Sequence, residues 1–197
     1  MKTPRWIPAA AALACALLPP APAADLPRKA PDYTINLTGG KTLTLSQYKG
    51  HPVVLAFILT GCSHCQRAIG FLIKDQNEYA PRGLQVLASA IEGNAAAAVP
   101  LFLKNFQPTF PVGYSEGQSA LDFMQHSVAK IPMMPLMAFL DRQGDIRAQY
   151  EGDDPFFGDQ LEENLRRQIE ALLAMGAPAR KSVPAKSTAA PRRSTAQ

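Results

Sequence analysis

Cys62 and Cys65 are separated by Ser63 and His64, and an unbroken apolar run, 53–59, stands just before them. Two thiols at this spacing can close into a small disulfide and reopen. If the apolar run is a strand that turns into a helix at Cys62, the first sulfur lands at the helix N-terminus, where unpaired backbone N–H groups and the helix dipole favour negative charge. Cysteines in such motifs ionise between about 3.5 and about 7, against about 8.5 for a free thiol. Cys62 is then the expected nucleophile. Cys65, one turn further in, attacks sulfur 62 to resolve a mixed disulfide. His64 can place a hydrogen bond or a positive charge beside the thiolate, stabilising the reduced form and making the disulfide more oxidising; its alternative reading is a solvated first-turn residue. A purely structural disulfide is disfavoured, because so small a loop gains little chain entropy.

The elements needed to hold this pair can be read on either side of it. Residues 33–37 and 41–45 alternate around Gly39-Gly40, the pattern of a β-hairpin. The run 53–59 suits a central strand buried on both faces. Ala68, Ile69, Leu72 and Ile73 then fall at helical spacing, and Pro81-Arg82-Gly83 closes that segment. A second buried strand follows over 84–91. Asn94 can cap a helix through Val99, Leu101 and Phe102 to about Phe106, with Pro100 obscuring its start. A short strand over 110–112, ended by Gly113, precedes a helix over 117–126. Strands over 136–140 and 146–150 flank a turn at Asp141-Arg142-Gln143-Gly144. The last helix is expected from Asp159, which forms a capping box with Glu162, to a stop at Gly176, with Leu161, Leu165, Ile169, Leu172 and Leu173 on one face. The order implies an α/β fold: a central mixed sheet flanked by helices on both faces, with an N-terminal β-hairpin extension.

The two ends of the chain differ from this middle. Lys2 and Arg5, an apolar run over 6–18 and a small-residue site at 19–24 read as a secretory signal over 1–24. A linker over 25–31 would lead into the domain, 32–175. A basic tail, 176–197, is too poor in large apolar residues to order itself. Cys15 lies inside the signal, with too short an apolar run before it for lipoprotein anchoring. Export would leave Cys62 and Cys65 as the two cysteines of a protein in an oxidising compartment. The chain has 20 basic and 16 acidic residues, yet the ends hold seven of the basic and none of the acidic ones, so the domain itself is about −3. The overall basicity is therefore no argument for a nucleic-acid partner, while the tail could make weak contact with anionic surfaces. His51 and His126 have surface or capping roles as their default, and the sequence contains no Ser-His-Asp order, phosphate loop or zinc spacing.

Taken together, the lead-in Leu45-Ser46-Gln47-Tyr48-Lys49-Gly50-His51-Pro52-Val53-Val54-Leu55-Ala56-Phe57, the C-x-x-C after it, and Met134-Pro135-Leu136-Met137-Ala138-Phe139-Leu140-Asp141 followed by Gly144 resemble the thioredoxin superfamily. The likeness covers 32–175 and is strongest to the exported, periplasmic thiol-disulfide oxidoreductases typified by TlpA and ResA. It implies a redox-active Cys62-Cys65 disulfide, no cofactor, protein thiols or disulfides as substrate, and a membrane electron donor or acceptor. It also implies that Pro135, rather than the competing Pro132, is a cis-proline facing the active site, and that the Met134 backbone pairs with a substrate segment. Two features depart from the family. Gly61 stands where a Trp is common, and Ala56 stands where a polar or acidic residue relays protons. Proton transfer would then fall to water, to His64 or to a residue such as Glu92, whose alternative reading is a solvated loop carboxylate. Ser63-His64 differs from the Gly-Pro of reductive thioredoxins and resembles strongly oxidising thiol oxidases, which leaves the direction of electron flow open.

Two other functions compete. Cys62, Cys65, His64 and the Met133-Met134 pair are soft ligands suited to Cu(I), although the methionines also suit core packing. A peroxiredoxin-like peroxidase would need Thr or Ser three residues before its cysteine and a proline further upstream; Leu59 and Leu55 occupy those places, and Thr60 is one residue out of register.

Overall fold

A computed structural model describes residues 25–175. The expected signal over 1–24, Cys15, the tail over 176–197 and the stop at Gly176 lie outside the described residues.

The fold is built on strand β4, Val53–Ile58, whose six residues are all buried. An uninterrupted apolar strand is stable only with both faces covered and both edges paired, and β4 has both. It runs parallel to β5, Gln85–Ala90, and antiparallel to β7, Leu136–Leu140. The sheet continues on one side through β8, Asp145–Tyr150, to a short strand β1, Arg28–Lys29. On the other side it continues through β6, Val112–Tyr114, to the hairpin β2, Thr34–Asn36, and β3, Thr42–Thr44. The result is one eight-stranded mixed sheet in the order β1-β8-β7-β4-β5-β6-β2-β3.

Alternation along β4 divides the core in two. Val54, Ala56 and Ile58 point into a cluster formed with α1 (Ser63–Tyr79), α2 (Ala95–Phe106) and α4 (Leu161–Ala174). Val53, Leu55 and Phe57 face a second cluster with Tyr33, Ile35 and α3 (Gly117–Met124), where Tyr33, Phe57 and Phe123 meet edge to face. Helices thus cover both faces, as the chain order implied. On α4 the five apolar residues named from periodicity are all buried, at about 1.5–3 kcal/mol each.

Four local expectations need correction. The segment 25–31, read as a linker, contributes β1, which pairs Arg28 and Lys29 with Ile146 and Asp145. Gly113 lies inside β6 instead of ending the strand before it: a Cβ there would sit 2.2 Å from the Asn36 carbonyl oxygen, so glycine is what lets β2 close onto β6. Pro100 is inside α2, which begins at Ala95 after an Asn94 cap that makes no side-chain hydrogen bond. The Asp159–Glu162 capping box does not form either. Helix α4 starts at Leu161 with Gln160 as N-cap, and the carbonyls of Gly158 and Asp159 accept instead from Arg67 on α1.

Candidate active site

The cysteine pair stands where β4 becomes α1. Cys62 is the N-cap of α1, in extended conformation, and its amide donates to the Leu59 carbonyl at 3.1 Å while its carbonyl accepts from Gln66 N at 2.9 Å. The Gln66 side chain reaches back to the Thr60 carbonyl at 2.8 Å, tying the first turn to the approach. Cys62 makes no side-chain capping bond, and no acidic residue sits in the first turn. The unpaired amides there are thus open to a developing negative charge on Cys62.

The two thiols occupy different environments. Both are free, Cys62 partly exposed and Cys65 fully buried. Burial pushes the Cys65 thiol well up; a hydrogen bond with the Leu59 backbone opposes this, while Cys62 and the carboxylate of Glu92 push it further. Cys65 therefore stays protonated until something takes its proton. His64 is exposed on the first turn.

Across from this turn, the Met134–Pro135 peptide bond is cis, as the resemblance implied, while Pro132 is not among the cis prolines of the described residues. Leu136 pairs with Phe57 in the antiparallel register of β7 on β4, which brings Pro135 beside the end of β4, next to the segment that leads into Cys62. Gly152 backs this loop. Its amide donates to the Met133 carbonyl at 2.7 Å, and a Cβ on it would lie 2.4 Å from the Met134 oxygen. Met134 is half-buried and Met133 exposed. Among the described residues, no three His, Cys, Asp or Glu side chains form a group that could hold a metal ion.

Two residues take places that their sequence context did not suggest. Glu92 is not a solvated carboxylate. It folds back onto the approach to Cys62, where Oε1 accepts from the Thr60 amide at 2.9 Å and from the Thr60 hydroxyl, and Oε2 is buried with no hydrogen-bond partner. His126 is not a surface residue: its side chain is 3% exposed, Nδ1 is 2.8 Å from Glu151 Oε1, and Nε2 is 2.9 Å from the Lys130 carbonyl. Both partners only accept, so the two bonds form together only when both ring nitrogens carry hydrogen, which favours the charged ring. Burial opposes that charge, but the bonds to Glu151 and Lys130 outweigh it and raise the pKa. Lys130 also pairs with Glu151 at 3.0 Å and with Asp153 at 3.1 Å. This network clasps the loop between α3 and the cis-proline to the end of β8. His126 and Glu151 are 25 residues apart, so no local pattern announced them. A glycine two residues after a strand, as at Gly152, was the one available signal of a close backbone approach.

Thiol-disulfide oxidoreductase ResA of Bacillus thuringiensis subsp. konkukian is 24% identical over 143 residues, covering 73% of this chain and 78% of that protein. A crystal structure from Chlorobium tepidum, assigned as a thiol:disulfide interchange protein DsbE, superposes with a TM-score of 0.64 at 27% identity, over 76% of this chain and 98% of that one. A second Chlorobium tepidum structure, a thiol:disulfide interchange protein of the thioredoxin family, shares the fold with a TM-score of 0.62 at 20% identity, over 75% of this chain and 97% of that one. The redoxin family model matches residues 27–164, and the chain belongs to the redoxin family, within the thioredoxin superfamily.

Proposed function

We propose that this protein exchanges disulfides with protein substrates outside the cytoplasm through Cys62 and Cys65, with His64 beside them and the Met134–Pro135 segment receiving the substrate chain. The observation that carries this reading is the asymmetry of the pair: a partly exposed sulfur at an uncapped helix N-terminus, one turn before a buried thiol. In the reductive direction the Cys62 thiolate attacks a substrate disulfide. A Cys62–substrate bond forms, the substrate S–S bond breaks, and one substrate sulfur leaves as thiolate and takes a proton. Cys65 then loses its proton and attacks Cys62, releasing the second substrate thiol and leaving Cys62–Cys65 oxidised. Oxidation of a substrate is the same path reversed, and neither direction needs a cofactor.

The reading is supported by relatives that carry the name thiol-disulfide oxidoreductase, and the signal-like segment over 1–24 supports a periplasmic site of action. A disulfide left on Cys62 and Cys65 must be reduced again, or a dithiol reoxidised, so a membrane electron donor or acceptor completes the cycle. No helix among the described residues is long and apolar enough to cross a membrane. The test is mechanism-based trapping. Cys65→Ser should accumulate mixed disulfides with envelope proteins and Cys62→Ser should accumulate none; equal trapping by both variants would end the assignment of roles. Equilibration in glutathione or dithiothreitol buffers sets the direction: a potential near about −270 mV makes the protein a reductase, and one near about −120 mV makes it an oxidant with His64 as the cause.

A further inference from the structure

We propose that Glu92 is the base that removes the proton from Cys65 when Cys65 resolves the mixed disulfide on Cys62. The proposal rests on the exchange reading above and assigns its missing proton acceptor.

The need comes from Cys65 itself. Its side chain is fully buried, and only the thiolate can attack sulfur 62. Position 56, where related proteins place a relay group, is Ala56 at 0% exposure and offers nothing to accept a proton. Glu92 stands two residues after β5, whose Val86, Ala88 and Ala90 share one packing cluster with Ala56, Ile58 and Cys65. Its carboxylate is held by Thr60, two residues before Cys62, through the amide at 2.9 Å and the hydroxyl, both on Oε1. Oε2 is left buried with no hydrogen-bond partner. An unpaired buried carboxylate oxygen costs free energy, and this one belongs to a carboxylate close enough for its charge to act on the Cys65 thiol. Cys62 and Glu92 are the titratable groups whose charges act on Cys65, and both hold its thiol protonated at rest. Glu92 therefore disfavours a standing thiolate yet gives the proton a destination once the mixed disulfide has formed.

The step balances. The Cys65 S–H bond breaks and its proton goes to Glu92 Oε2. The electron pair left on Cys65 forms the Cys62–Cys65 bond while the Cys62–substrate bond breaks. The substrate sulfur leaves with the bonding pair of the broken Cys62–substrate bond and takes a proton from solvent. Two cysteine thiols are oxidised and one substrate disulfide is reduced.

The experiment mixes the reduced full-length protein, in which Cys15→Ser leaves Cys62 and Cys65 as the two thiols of the reference (wild-type) and Glu92 variants alike, with excess 5,5′-dithiobis(2-nitrobenzoate) and follows thionitrobenzoate release from pH 6 to 8. The first equivalent reports attack by Cys62, and the second reports attack by Cys65 on the mixed disulfide. In the wild type the second phase should stay nearly flat with pH. Glu92→Gln, which can still accept from Thr60 but cannot take the proton, should slow the second phase at pH 7 by about tenfold or more, leave the first within about twofold, and make the second rise about tenfold per pH unit, the law for unassisted thiol ionisation. Glu92→Asp should recover part of the rate. A second phase in Glu92→Gln as fast as in the wild type overturns the proposal. So does a wild-type second phase that itself rises about tenfold per pH unit, a result that stands even if Glu92→Gln fails to fold. A wild type that releases a single equivalent instead ends the exchange reading, and is distinguished by needing no variant.

Discussion

Asp75 lies on α1, the helix that carries the cysteines, and its replacement by Asn should stabilise the protein at neutral pH. Its side chain is 2% exposed, one carboxylate oxygen has no hydrogen-bond partner, and Arg166 approaches only to 3.8 Å. Burial, opposed by Arg166 and reinforced by Glu78, raises its pKa from 3.8 to about 6. The folded state thus prefers the protonated carboxyl, so ionisation costs stability above pH 6 and the cost is relieved as pH falls from 6 toward 3.8. Two pKa units at about 1.36 kcal/mol each set a ceiling of about 3 kcal/mol, and solvent screening through the half-exposed Arg166 brings this to roughly 1–2 kcal/mol. Removing the Asp75 charge does not strand Arg166, whose guanidinium is bound by both oxygens of Glu78 at 2.6 Å. Urea unfolding of Asp75→Asn and wild type should therefore show the variant roughly 1–2 kcal/mol more stable at pH 7.5, shrinking to about a third of that at pH 4.5, with unchanged m-values. A variant less stable at every pH would refute the reasoning and show that the Asp75–Arg166 pair is net favourable.

Gly152→Ala drives a methyl group to within 2.4 Å of the Met134 oxygen, so the cis-proline segment has to shift. Reduction of a protein disulfide should fall about tenfold or more, with a stability loss of roughly 1–3 kcal/mol, while the reaction of Cys62 with a small aromatic disulfide stays unchanged. Because the His126 pKa is raised in the fold, its clasp on the loop is complete below the ordinary histidine range and lost as pH rises through the folded value. Limited proteolysis within 127–133 should accelerate over that rise, and in His126→Gln it should be fast and independent of pH. Of Cys62 and Cys65, iodoacetamide on the native reduced protein should modify Cys62, with Cys65 labelled only after unfolding, as followed by mass spectrometry.

Most of the architecture was legible because its signals are local. The apolar run 53–59, the alternation around Gly39-Gly40 and the spacing of Leu161, Leu165, Ile169 and Leu172 each report burial of one strand or one helix face, and the structure buries them accordingly. The position of Cys62 at a helix start also follows from a strand meeting a helical pattern. Element ends were less legible where distant groups settled them. Arg67 on α1 holds the Gly158 and Asp159 carbonyls just before α4, and β2 arriving at Gly113 extended a strand that the residue type alone would have ended.

The sequence by itself determined the dithiol, its place at a helix start and the fold class, since these depend on neighbours a few residues away. Tertiary structure alone decided which groups surround the dithiol. Glu92 turns inward because the Thr60 amide and hydroxyl meet it across two strands, 32 residues away in the chain. The charged form of His126 is favoured because Glu151 and the Lys130 carbonyl both demand a donor. Hydrogen bonding and desolvation act over a few ångströms of space, whatever the separation in sequence, so the proton chemistry of this site became visible only once the strands were placed.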